Sequence, residues 1–110
     1  MDKVEKYISL AEIEYKSGNM SQAICHAEEA LEECNDHTRA AALKIFIARI
    51  HSKIGNIKQS NTIYRELLNE KNYLPPVIMG LLYNNFKSND NNSIKMGRNL
   101  GLIKIFVGDQ

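Results

Sequence analysis

Apolar residues recur three and four positions apart from the start of the chain. Val4, Tyr7, Ile8, Ala11 and Tyr15 form one stripe at the helical period, and Asp2 followed by Glu5 is a capping-box-like start. Gly18, followed by Asn19, reads as the left-handed cap that ends this helix. A second helix starts near Ser21, carries Ala23, Ile24, Ala27, Ala30, Leu31 and Cys34 on one side, and is broken by Asn35 and Asp36. A third holds Leu43, Phe46, Ile47, Ile50 and Ile54 in register until Gly55 and Asn56 stop it. A fourth runs from about Lys58 to Glu70, with Ile63, Tyr64, Leu67 and Leu68 apolar. Pro75 and Pro76 open a fifth, where the first turn tolerates proline, and it reaches about Lys87. SNDNN is a loop, a sixth helix begins near Asn92, and the tail LIKIFV either completes it or runs extended.

The turns repeat. KSGNMSQA and SKIGNIKQS occupy the same place between two helices, with Gly18 and Gly55 separated by 37 residues. A helix–turn–helix period in this range predicts an all-α solenoid of helical hairpins. One hairpin cannot bury its own apolar face, so stacked neighbours bury it for each other. The small residues Ala11, Ala23 and Ala48 permit close helix packing.

On these residues the chain resembles the tetratricopeptide repeat (TPR) family. The first unit, about 2–36, has Tyr7, Leu10, Ala11, Gly18, Ala23, Ile24, Ala30 and Leu31 at the family's positions. It departs at Glu14 and Ala27, where aromatics are expected, and at Asn35, where the closing proline is expected. The second, about 38–72, matches through Ile47, Ala48, Gly55, Ile57, Tyr64, Leu67 and Leu68, with Ser60 in place of a small alanine. The third, about 75–106, aligns through Leu81, Ser93, Ile94 and Leu100 and lacks the turn glycine. The resemblance implies a single domain of three TPR-like repeats, six helices in all.

Length and charge add to this picture. A chain of 110 residues is about one small domain. It contains no apolar run long enough for a membrane span and no basic-then-apolar leader, so the expectation is a soluble cytoplasmic protein. Two Cys do not make a disulfide framework, which fits a reducing compartment. The net charge of +1 hides an uneven distribution. Residues 1–37 carry nine acids and three bases, whereas 38–110 carry eleven bases and four acids. Such a dipole steers oppositely charged or similarly polarised partners.

The candidates for chemistry fare poorly. Cys25 and His26 are adjacent, but neighbours on a helix point about 100° apart and do not meet. Cys25 and Cys34 lie about 13 Å apart along one helix, too far for a shared zinc ion. His37 beside Cys34 would still need two further ligands. Cys34 and His51 read as packed helix residues, and Glu28, Glu29, Glu32 and Glu33 as a solvated acidic face. No P-loop, dinucleotide fingerprint, HExxH or nucleophile elbow is present. Lys and Arg in the second part are scattered singly, without an aromatic platform for nucleic acid. The expectation is no enzyme, no cofactor, no metal, no nucleic acid and no membrane.

In the TPR family the first helix of each unit lines a concave groove. The resemblance therefore implies a partner-binding groove made of Ile8, Glu12, Tyr15 and Lys16, then Ile45, Phe46, Arg49 and Lys53, then Ile78, Met79, Leu82 and Phe86. Independently of the family, Ile45, Phe46 and Ile47 give the third helix an apolar arc wider than one packing face. VIMGLLYNNF is apolar nearly all round and must be covered on more than one side. The expected function is a protein-binding module or chaperone whose groove holds an amphipathic helix of a client. In size and architecture the chain also resembles the needle-subunit chaperones of bacterial type III secretion, virulence-associated proteins. That implies a needle subunit as client and a second small helical co-chaperone. The alternatives are a generic TPR scaffold, a nucleic-acid-associated adaptor using the basic part, a thiol or zinc enzyme, and an oligomer joined through LIKIFV.

Overall fold

A computed structural model of the chain describes residues 2–70 and 75–88. The described residues are helical and contain no strand: α1 spans Lys3–Lys16, α2 Met20–Glu33, α3 His37–Lys53, α4 Ile57–Asn69 and α5 Pro75–Ser88. Five of the six expected helices are thus present. The sixth, with LIKIFV and the end of the third unit, lies outside the described residues. None of the described helices is long and apolar enough to cross a membrane. The chain divides within α4 into two units, Met1–Ile63 and the residues from Tyr64 onward.

Local sequence explains several of the helix ends. Asp2 Oδ1 accepts from the Glu5 N–H at 2.7 Å while Glu5 Oε1 accepts from the Asp2 N–H at 3.3 Å, a complete capping box. Asp36 caps α3 by accepting from the Thr38 N–H at 3.0 Å. Helix α2 stops where Cys34 turns extended, at φ −89° and ψ 126°.

The helix C-termini at Gly18 and Gly55 are two copies of one motif. The Gly18 N–H donates to the Tyr15 carbonyl at 3.1 Å and the Asn19 N–H to the Glu14 carbonyl at 2.8 Å. In the second copy Gly55 donates to Ser52 at 3.2 Å and Asn56 to His51 at 2.7 Å. This pair of bonds is the Schellman arrangement, which requires a left-handed residue at the glycine position. Gly18 has φ +86° and Gly55 φ +93°. The asparagine side chains repeat as well: Asn19 Nδ2 donates to Glu14 Oε1 at 2.8 Å, and Asn56 Nδ2 lies 3.4 Å from His51 Nδ1.

The first unit is a helical hairpin with a third helix packed on it. Helices α1 and α2 pack together antiparallel, with Lys3 Nζ at the start of α1 4.0 Å from Glu33 Oε1 at the end of α2. Helix α3 packs on α2 in turn. The shared core contains Val4, Ala11, Ala27, Ala30, Leu43 and Ile47, flanked by Tyr7, Ile8, Ile24, Leu31, Cys34, Phe46 and Ile63. The residues of the stripes read from the sequence are buried or half-buried, except Ile54. That residue caps α3 just past its last helical position and is 47% exposed.

The 37-residue offset also relates the burial of α2 to that of α4. Ala23, Ala27 and Ala30 are fully buried, and so are Ser60, Tyr64 and Leu67 to within 1%. The second copy keeps the burial pattern and enlarges the buried side chains. In the second unit Tyr64 meets its complement in Gly80 of α5, where a Cβ would overlap the Tyr64 ring. Val77 and Asn84 are the fully buried residues of α5. No buried side-chain nitrogen or oxygen among the described residues lacks a hydrogen-bond partner.

Two stability predictions result. Gly18→Ala and Gly55→Ala meet no steric obstacle, since nothing lies within 4 Å of either new Cβ, yet each forces a left-handed L-residue. Each is expected to cost about 1–2 kcal/mol in urea unfolding, and the Asn variants less. Gly80→Ala raises intrinsic helix propensity by about 1 kcal/mol but is expected to destabilise by about 1–3 kcal/mol through overpacking. Pairing it with Tyr64→Leu should recover part of that loss in the same assay.

Candidate functional site

Helices α1 and α3 run side by side in the same direction. Asp2 Oδ2 is 4.0 Å from Arg39 Nη1 at their N-terminal ends, and Lys53 Nζ donates to Tyr15 Oη at 3.3 Å at their C-terminal ends. Between them lies a half-open pocket of about 190 Å³. Ile8, Ala11 and Glu12 form its α1 wall, and Arg39, Ala42, Leu43 and Phe46 its α3 wall.

An aromatic cluster lies next to this pocket, toward the C-terminal ends of both helices. The rings of Tyr15 and Phe46 meet at 5.7 Å between centroids with their planes tilted by 59°, close to an edge-to-face arrangement. Lys53 Nζ sits 5.0 Å from the Tyr15 ring centroid, so its ammonium touches both the ring face and the hydroxyl. Phe46 thus joins the aromatic cluster to the pocket's edge.

The pocket's size limits what it takes. An apolar cavity of about 150 Å³ accommodates benzene, whereas cofactor and drug-like sites begin near 300 Å³. One bulky side chain fits this space. Polar groups sit at its edge: Glu12 is exposed, and Arg39 is half-buried.

The eight groove residues expected on α1 and α3 divide as follows. Ile8, Glu12 and Phe46 line the pocket, and Tyr15 and Lys53 build the aromatic cluster beside it. Lys16 and Arg49 are exposed on the same helices. Ile45 is 9% exposed and belongs to the buried face of α3, because one step along a helix turns the side chain by about 100°. Sequence reasoning missed Arg39 and Ala42. Both lie on the stripe 39, 42, 46, 49, 53, whose helical spacing was legible once Phe46 had been chosen.

The last four expected residues belong to the second unit. On α5, Ile78 is 39% exposed, Met79 54% and Phe86 50%, and Leu82 is half-buried. Tyr83, not anticipated, is 57% exposed with Lys87 Nζ 5.8 Å from its ring centroid.

The conspicuous thiol and imidazole groups stand apart. Cys25 is exposed, while the His26 Nδ1 lies 2.8 Å from Glu29 Oε1, one turn along α2. Cys34 is half-buried, with its Sγ donating to the Asp36 carbonyl at 3.4 Å. His51 is half-buried at the end of α3 rather than enclosed in the core, because its ring faces Asn56 in the Schellman turn. Among the described residues no three His, Cys, Asp or Glu side chains gather as a metal site would require.

Compared with known proteins, the chain matches no family model, no curated protein and no solved structure.

The Tyr15–Phe46 contact is open to a double-mutant cycle. Tyr15→Leu and Phe46→Leu should show a coupling of about 0.5–1.5 kcal/mol in chemical denaturation. Additive effects would mean that the two rings do not support each other.

Proposed function

We propose that the chain is a non-enzymatic protein-binding module, of the TPR-like kind, that holds an amphipathic helix of a client protein between α1 and α3. The observation that carries this reading is the half-open pocket, whose dimensions suit one large apolar side chain and whose edge residue Phe46 contacts the Tyr15–Lys53 pair beside it. A helix laid along two parallel helices presents such anchors at intervals of three and four residues, which is the helix-in-groove mode of recognition. The matched turns at Gly18 and Gly55, 37 residues apart, support the repeat character of the scaffold. The exposed apolar face of α5 gives the second unit a surface of its own for the client or for a co-chaperone. A chaperone that shelters a polymerising subunit, such as the needle subunit of a type III secretion system, is the narrower form of this proposal. It rests on the resemblance in size and repeat pattern.

The pocket itself provides the test. Ala42 is exposed on its wall, so Ala42→Trp fills the space without disturbing the core. A client helix isolated with the wild-type chain should bind the variant at least about tenfold more weakly, as expected when a buried anchor worth on the order of 2 kcal/mol is excluded. Leu82→Asp tests the α5 surface in the same way. Full client binding by a folded Ala42→Trp chain, measured by calorimetry, would show the pocket reading to be wrong.

A further inference from the structure

We infer that the helix held between α1 and α3 is acidic, with carboxylates placed on one side of its apolar anchor. This deepens the reading proposed above and depends on it. The evidence is the distribution of charge along the site. At the N-terminal end the charges are mixed: Asp2 faces Arg39 at 4.0 Å, Glu5 is engaged in the capping box, and Glu12 stands at the pocket. Beyond the pocket, toward the C-terminal ends of both helices, the stripe carries only cations: Lys16, Arg49 and Lys53. Lys16 and Arg49 are exposed and make no ion pair among the described residues. Lys53 spends one donor on a neutral hydroxyl and has no carboxylate partner there.

Geometry converts this asymmetry into a sequence pattern for the occupant. Arg49 lies seven residues and Lys53 eleven residues beyond Ala42, in the middle of the pocket's α3 wall, or about 10 and 16 Å along the axis. A client helix lying along α3 therefore meets these cations with residues about seven and eleven positions from its anchor. Asp or Glu there, with a Leu-sized anchor between α1 and α3, matches both the pocket and the charges.

Two occupants from this chain fit less well. Residues 89–110 carry three bases (Lys95, Arg98 and Lys104) against two acids, the wrong balance for a cationic stripe. Helix α2 has the acids, Glu28, Glu32 and Glu33, but its exposed residues include no bulky apolar anchor.

The test uses the full chain and two 18-residue helical peptides, each also made with reversed sequence. One has a Leu anchor with Glu seven and eleven residues to one side, and the other has Lys at those positions. In fluorescence anisotropy at low salt the Glu peptide should bind about tenfold more tightly, from two exposed ion pairs gained against two repulsions. The preference should shrink toward 1 M salt, where the Debye length is about 3 Å. It should reverse in R49E/K53E and weaken in R49E, which leaves the Lys53–Tyr15 contact intact. Equal affinities for the two peptides, both lost in Ala42→Trp, would overturn the acidic client and leave the helix-binding site standing. No saturable binding of either peptide would remove both. A dimer of the chain alone that R49E/K53E dissociates in sedimentation would assign the site to a second copy and overturn the inference.

Discussion

The arrangement of the first unit depends on how closely helices can approach α2. Its packed side is made of Ala23, Ala27 and Ala30, each with no exposed surface. Alanine brings neighbouring backbones together and loses no side-chain entropy on burial. With α1 and α3 both packed on this helix, their side chains meet above it, at Asp2 and Arg39, at Tyr15 and Phe46, and at Tyr15 and Lys53. A larger residue at Ala27 would push at least one of the outer helices away and separate the two walls of the pocket. The geometry of the pocket is thus a product of three methyl groups that lie outside it.

The turn at Gly18 supplies the second condition. A hairpin whose helices are to pack on an alanine face must reverse the chain within a few residues. The Schellman bonds do this while satisfying carbonyls that the helix end would otherwise leave open. Asn19 adds a side-chain bond back to Glu14, and Asn56 repeats that gesture toward His51. Backbone conformation, main-chain bonds and side-chain partner therefore recur together at the same offset.

Much of this was legible because it is written in local chemistry. The capping box at Asp2, the two glycine turns and the stripes of α1 through α4 follow from residues within one or two turns of each other. What escaped the sequence depends on contacts between helices. Ile45 and Phe46 are both apolar neighbours in α3, and only the packing of that helix decides that the first is buried and the second edges the pocket. Arg39 and Ala42 went unnoticed because neither is conspicuous until α1 is placed alongside. His51, read as a core residue, is half-buried because the asparagine after the turn takes up its ring. Gly80 carried no visible signal, since its lack of a side chain matters only against the ring of Tyr64.

The fit of Tyr64 against Gly80 has a consequence for how such a chain can change. Helices α2 and α4 each follow a turn of one kind and share a burial pattern, yet the alanine at position 27 corresponds to a tyrosine at 64, and that ring occupies the room left by a glycine sixteen residues later. Volume added to one helix has been withdrawn from the next. A helix of the first unit copied into the second would leave a hole at Gly80, and α5 moved to follow α2 would bring a gap where no ring arrives to fill it. Helices α2 and α4 are alike in burial pattern and not interchangeable, because only α4 carries the ring that Gly80 receives.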